Sequence, residues 1–281
     1  MCMIGSQLRD SFAISYKQCD LAKHTQFYEP IILNGLDGIR YLKFGREGNT
    51  GSWCGVNNYG VSVVAADAYL EDSVCVKDNA ASTIGIFDAY SKIVSDYKDA
   101  KSAAEFMREF YQAFLQPDIL LISDAKASYY IEALNGEVIV IEKQYTPHAR
   151  DNYFCVTNHF RLLHGSVGYA NNQSTYLRLQ RGELLAAQDT SVFEMLVDQY
   201  YGKSVMSICR DKTITPSGEE PFFTQASAVF ATNGQQVNCA YLINGNPCSK
   251  PYVLVRDIFG AYQINNYSSV EELSSLVAKY A

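Results

Sequence analysis

Apolar positions change their period several times along the chain. At residues 11–16, 39–44, 53–56 and 61–66 they form short runs suited to strands, separated by Gly/Asn/Ser turns such as Asn57-Asn58-Tyr59-Gly60. Two closely spaced turns predict an antiparallel meander, and the near-continuous apolar run at 61–66 predicts a strand covered on both faces. Residues 21–40 read as loop around a short apolar segment, Ile31-Ile32-Leu33. Between residues 82 and 115 the spacing becomes three to four. Ile84, Phe87, Tyr90, Ile93 and Tyr97 mark one amphipathic helix; Phe106, Met107, Phe110 and Phe114 mark a second that stops before Pro117. Ser102 and Glu105 are spaced as a capping box at its start.

Strand composition returns at 119–122, 129–133 and 138–141, the last two joined by Asn135-Gly136, a strong hairpin signal. A further buried strand at 153–157 ends in Asn158-His159-Phe160, and polar residues at the end of a buried strand are candidates for a site. Helices are predicted at 174–185, 192–200 and 270–280, and strands at 226–231, 237–243 and 252–255. Strands, then helices, then strands and helices again fit an α+β layered domain, with one domain over 1–281, and not a regular βαβ alternation.

Composition narrows the class. Hydrophobic residues make up 48% and charged residues 19%, as in a well-buried globular enzyme. The net charge of −7, with no clustered Lys/Arg run, argues against a nucleic-acid partner. Gln7, Arg9 and Asp10 interrupt the first twenty residues, so neither a secretory signal nor a membrane span is visible, and the chain is expected to be soluble and cytoplasmic. Eight cysteines are scattered without a C-x-x-C pair, so most are expected to be reduced, buried space-fillers. The sequence calls for no metal and no cofactor, and leaves homo-oligomerisation open.

Chemistry concentrates at the N-terminus. If Met1 is removed, Cys2 carries a thiol and a free α-amine on one Cα, so nucleophile and base share a residue. Reference values of about 8.5 for a thiol and about 7.7–8.0 for an α-amine leave some amine unprotonated near neutral pH to take the thiol proton. Lys17 and Asp20, three apart, face opposite sides of a continuing strand, whereas a turn at the strand end would bring both toward one pocket; a solvated surface pair is the alternative. His159 and His164 are given structural roles, because an N-terminal cysteine supplies its own base.

Taken in order, Cys2, Lys17-x-x-Asp20, Asn57-x-x-Gly60 leading to Asp67, Val156-Thr157-Asn158-His159-Phe160, Ser174-x-x-x-Arg178-x-x-Arg181 and Gly245-Asn246-Pro247-Cys248 form a series. The series resembles the N-terminal-nucleophile amide hydrolases, specifically the acyl-coenzyme A:6-aminopenicillanic acid acyltransferase family and its relatives, the choloylglycine hydrolases and penicillin V acylases. The resemblance implies a four-layer αββα sandwich of two antiparallel sheets. It implies Cys2 as nucleophile, its amine as base, Asp20 orienting the amine, and Asn158 positioning and polarising the reacting carbonyl. The family's arginine before the aspartate matches Lys17; its later active-site arginine matches Arg178, with Arg181 as second choice.

Two departures carry physical weight. Lys17 keeps the charge of an arginine without its planar fork. Asp67 replaces the asparagine of bile-salt hydrolases, and an ionised carboxylate repels a developing oxyanion that an amide would stabilise. The implied reaction is cleavage of a linear, non-peptide amide in a small N-acyl substrate through a thioester, with water or an acceptor amine as second nucleophile. A hydrolase and an acyltransferase differ only there. The alternative in another class is a catalytically silent sandwich that binds a small acylated ligand with Met1 retained. Asp20→Asn is expected to keep the fold and slow acylation.

Overall fold

The computed structural model describes residues 2–266 apart from positions 10, 22–23, 79–83, 147–148, 150–151, 212–213, 216–217, 220–221 and 261–262. The chain opens with β1 (Cys2–Arg9) and β2 (Phe12–Leu21), followed by β3 (Ile31–Asn34), β4 (Arg40–Lys43), β5 (Cys54–Asn57) and β6 (Ser62–Ala66). Helices α1 (Ile86–Asp96) and α2 (Ala100–Phe110) lead into β7 (Asp118–Ser123), β8 (Ala127–Leu134), β9 (Glu137–Gln144) and β10 (Tyr153–Val156). After α3 (Gln173–Ala187) and α4 (Val192–Leu196) come a short ribbon, β11 (Ile214–Thr215) with β12 (Gly218–Glu219), and then β13 (Phe223–Thr232), β14 (Val237–Leu242), β15 (Val253–Arg256) and β16 (Gln263–Asn266). The helix expected at 270–280 lies outside the described residues.

Two seven-stranded antiparallel sheets result, ordered β10-β1-β2-β13-β14-β15-β16 and β3-β4-β5-β6-β7-β8-β9. Side-chain alternation along the strands sorts their residues into three apolar layers. Cys2, Ile4, Phe44, Trp53, Val56, Ile119 and Phe230 meet between the sheets. Met3, Ile14 and Tyr16, on the other face of β1 and β2, pack with Leu179 and Leu185 of α3 and Phe193 of α4. Val63, Leu120 and Ile131 pack with Ile93 of α1 and Met107 of α2. Each buried Leu, Ile or Phe contributes roughly 1.5–3 kcal/mol, and three such layers produce the αββα order that the resemblance implies. Hydroxyls that fall inside the inter-sheet layer pair with one another, as Ser15 with Ser62 at 2.6 Å and Ser128 with Ser6 at 2.7 Å.

The Asn135-Gly136 hairpin forms as expected, with both residues at positive φ (56° and 89°). Several local expectations need correction. The cap of α2 is Asp99, whose carboxylate accepts from the Ser102 backbone N–H at 2.8 Å and the Ser102 hydroxyl at 2.9 Å; a carboxylate at the first free N–H groups also suits the helix dipole. The apolar triplet at 31–33 is an edge strand, β3, not loop. The cysteines follow the expectation that most are reduced and buried: Cys2, Cys19, Cys54, Cys75, Cys155 and Cys239 are free, all but Cys75 buried, and Cys209 pairs with Cys248 as a disulfide.

Candidate active site

β2 does not turn at Lys17. It runs on through Leu21, so alternation sends Lys17 and Asp20 to opposite faces of the sheet. Lys17 enters the inter-sheet layer, where its Nζ donates to the Trp53 carbonyl at 3.1 Å and lies 5.4 Å from the centre of the Trp53 ring. Asp20 faces the helical side, accepts from the Thr224 hydroxyl at 2.7 Å and meets the Arg210 guanidinium at 3.3 Å, with both charged side chains essentially sealed from solvent. A buried ion pair persists only where further hydrogen bonds support it. Here the Thr224 hydroxyl also accepts from the Arg210 backbone N–H at 3.0 Å.

Cys2 begins β1, buried and directly opposite Cys19 of β2. Its backbone nitrogen donates to Asn158 Oδ1 at 2.9 Å, and in a chain that has lost Met1 that atom is the α-amine. Its carbonyl accepts from Arg178 Nη1 at 2.8 Å, while Arg178 Nη2 donates to the same Asn158 Oδ1 at 3.0 Å. The planar guanidinium thus holds the nucleophile residue and its amide neighbour at once. Asn158 Nδ2 donates to the backbone carbonyl of Asp67 at 2.8 Å, so the amide spans from β1 to the end of β6.

The supports of this cluster are local. β10 pairs with β1 and ends at Val156, placing Asn158 beside the first residues of β1. Asn158 N donates to Thr175 Oγ1 at 2.8 Å, which ties it to the first turn of α3. Ser174, Arg178 and Gly182 recur every four residues along the buried face of α3. At Gly182 a methyl group would overlap Met3 and the Cys155 sulfur. The missing side chain lets the helix lie close on the sheet, and Arg178 one turn earlier reaches Cys2.

The Cys2 thiol is held at about 6, well below its ordinary value. Donation from the Cys19 thiol is the largest cause, burial opposes it, and the Lys17 cation adds to the lowering. Asp67 acts the other way. Its carboxylate is exposed to solvent, however, and water screens it. Cys19 is correspondingly raised, because a thiol that donates to a thiolate resists losing its proton.

Of the residues singled out from sequence, Cys2, Asn158 and Arg178 converge, Lys17 faces the same inter-sheet layer from the neighbouring strand β2, and Asp67 joins through its backbone. Arg181 does not converge. Its guanidinium donates twice to Asp198, at 2.7 and 3.0 Å, and covers the Tyr200 ring. His159 stacks on Tyr176 at 4.0 Å between ring centres with Nδ1 against Thr175 Oγ1, and burial pushes it down to about 4, so it stays neutral; His164 is exposed. Sequence reading missed Arg210, Thr224, Thr175 and Cys19. The direct opposition of Cys19 to Cys2 was the signal available, through an antiparallel pairing of the first two strands.

A cavity of about 410 Å³ lies beside Thr224, lined by His24, Glu47, Asp211, Phe223 and Gln225 among others. Among the described residues no group of three or more His, Cys, Asp or Glu side chains is gathered as for a metal ion, and no helix is long and apolar enough to cross a membrane.

No protein-family model matches the chain, and no curated protein matches it in sequence. Solved structures do. A conjugated bile acid hydrolase from Clostridium perfringens superposes with a TM-score of 0.56 at 12% identity, over 96% of this chain and 97% of that one. A penicillin V acylase from Agrobacterium tumefaciens gives 0.50 at 12% identity, over 86% and 82%. The likeness is one of fold: this chain and both of those proteins share the same sandwich of antiparallel sheets.

Proposed function

We propose that the protein is an N-terminal cysteine amide hydrolase that cleaves a linear, non-peptide C–N amide bond of a small N-acyl substrate. The observation that carries the reading is the grip on Cys2: its nitrogen on Asn158, its carbonyl on Arg178 and its thiol shifted toward the thiolate. A structural cysteine gains nothing from such an arrangement. The fold shared with a bile acid hydrolase and a penicillin acylase supports it.

With Met1 removed, the Cys2 sulfur attacks the substrate carbonyl carbon and the thiol proton resides on the α-amine. Asn158 Oδ1 accepts from that ammonium and orients it. The ammonium then protonates the departing amine, leaving a thioester on Cys2, and water activated by the freed α-amine hydrolyses it. Arg178 fixes Cys2 through its carbonyl, and Lys17 favours the thiolate. Asp20 and Arg210 act from behind the sheet, where their charges hold the end of β2 in place.

Intact-mass measurement and single-turnover kinetics on a panel of N-acyl amines, including bile-salt conjugates, test the proposal. Loss of Met1, release of one amine per chain and an acyl adduct on Cys2 are expected. Retention of Met1 in purified protein, or turnover that survives Cys2→Ala, overturns it. Replacing water by an acceptor amine in the second step reads out acyltransferase activity in the same assay.

A further inference from the structure

The proposed reaction needs one thiol, yet the site holds two. Cys19 lies directly across the β1–β2 ladder from Cys2, and both side chains face the inter-sheet layer. Directly opposed residues of an antiparallel pair have Cβ atoms about 4.5–5.5 Å apart, and a disulfide needs about 3.5–4.5 Å. A shift of about 1 Å therefore closes the gap. Cys155, the free thiol of the neighbouring strand, packs on the other face of the sheet.

We propose that Cys19 is a resolving thiol, which converts oxidised Cys2 into a reversible Cys2–Cys19 disulfide. The inference rests on the reading of Cys2 as a reactive nucleophile. The oxidant is a hydroperoxide. The Cys2 thiolate attacks its terminal oxygen, the O–O bond breaks, and the departing alkoxide takes a proton to become the alcohol, leaving a sulfenic acid on Cys2. The Cys19 sulfur then attacks the Cys2 sulfur and the S–O bond breaks. The expelled hydroxide combines with the Cys19 proton as water. The two thiols have lost two electrons to the hydroperoxide, and two equivalents of an external thiol return them. Without a resolving partner the sulfenic acid proceeds to sulfinic acid, which thiols do not reverse. Burial of the pair excludes bulky thiols from the sulfenic acid, so Cys19, directly across the ladder, is the thiol that captures it.

The test uses the full-length protein with loss of Met1 verified by intact mass. Cys2 is first alkylated in a control sample, and amide turnover is recorded separately. A second sample is treated with hydrogen peroxide, blocked with alkylating reagent without reductant, digested and mapped. A linked Cys2–Cys19 peptide is expected, together with loss of Cys2 alkylation that dithiothreitol restores. In Cys19→Ala, and in Cys19→Ser should the alanine variant fail to fold, Cys2 is expected to gain two oxygens and dithiothreitol to restore nothing. Wild-type protein in which Cys2 becomes sulfinic acid while Cys19 remains alkylatable overturns the inference, as does linkage of Cys2 to another cysteine or no oxidation of either thiol. The linked peptide is read independently of turnover. Its formation in protein without amidase activity would retire the catalytic reading alone, and its absence in active protein would retire this one alone.

Discussion

Cys2 and Cys155 sit on adjacent strands of one sheet, Cys155 opposite Gly5, and both are buried to within a few per cent of full occlusion. They face opposite layers. Cys2 looks into the space between the sheets, where the Cys19 thiol donates to it and the Lys17 cation lies near, and it is shifted down. Cys155 looks toward α3, where burial dominates, and it is pushed up to about 12. Burial alone penalises a thiolate in both places. The difference shows that reactivity here is made by donors and cations on one face of a sheet, and that depth in the protein does not predict it.

Alkylation at neutral pH breaks or confirms this contrast most directly. With Cys2 at about 6 and Cys155 at about 12, the thiolate fractions differ by roughly 10⁵. Peptide mapping after brief iodoacetamide treatment should find Cys2 labelled and Cys155 intact, and Cys155→Ser should leave amide turnover unchanged. Comparable labelling of the two would dissolve the contrast.

Asp20→Asn is next in size. It removes the carboxylate facing the buried Arg210 guanidinium, and breaking one partner of a buried pair typically costs about 3–5 kcal/mol. The sequence alone suggested a slow but normally stable variant; the burial of the pair now predicts a large fall in denaturant midpoint as well. Unchanged stability would mean that water replaces the lost partner.

Cys19→Ala sharpens the account of Cys2 itself. A hydrogen bond to a charged group contributes roughly 1.5–3 kcal/mol, or about one to two pH units of thiol ionisation. The pH at which Cys2 alkylation reaches half its plateau should rise by that amount, because the thiolate is the form that loses its donor. A profile that stays in place assigns the lowering to Lys17.

Gly182→Ala should give the smallest effect. Overpacking against Met3 and Cys155 costs about 1–3 kcal/mol, while alanine in a helix gains about 1 kcal/mol over glycine. A net loss of about 0–2 kcal/mol in thermal or chemical unfolding is expected. A clear gain in stability would show that α3 is free to move outward.

Much of the architecture was legible in the chain because strand alternation and helix period are local. The Asn135-Gly136 hairpin and the buried run at 61–66 needed no tertiary information. Asn158 was legible as a polar residue ending a buried strand. Arg210 was not, since it stands in an irregular stretch and its partner is 190 positions away, on β2; only the pairing of β13 with β2 brings Thr224, Asp20 and Arg210 together. No turn follows Lys17, because β13 goes on pairing with β2 past the start of β1, with Thr224 opposite Asp20 and Phe223 opposite Leu21. Asp99 displaced the Ser102 cap because a carboxylate three residues earlier could accept from both the Ser102 N–H and its hydroxyl.

Glu132 lies on β8, in the sheet opposite Cys2, fully buried, and its two carboxylate oxygens accept from the backbone N–H groups of Arg161, Leu162 and Leu163, the last two at 3.0 and 2.8 Å. The turn that follows Asn158 is therefore clamped by one sheet while Asn158 itself is placed by the other. The distance between the sheets becomes a mechanical setting of the site. Any swelling of the sandwich, by mild denaturant or by pressure release of the core, pulls the turn and the nucleophile apart before either sheet dissolves. Selective Cys2 reactivity should then vanish at lower denaturant than backbone amide protection in β1 and β8, so that the protein would fall silent while still folded.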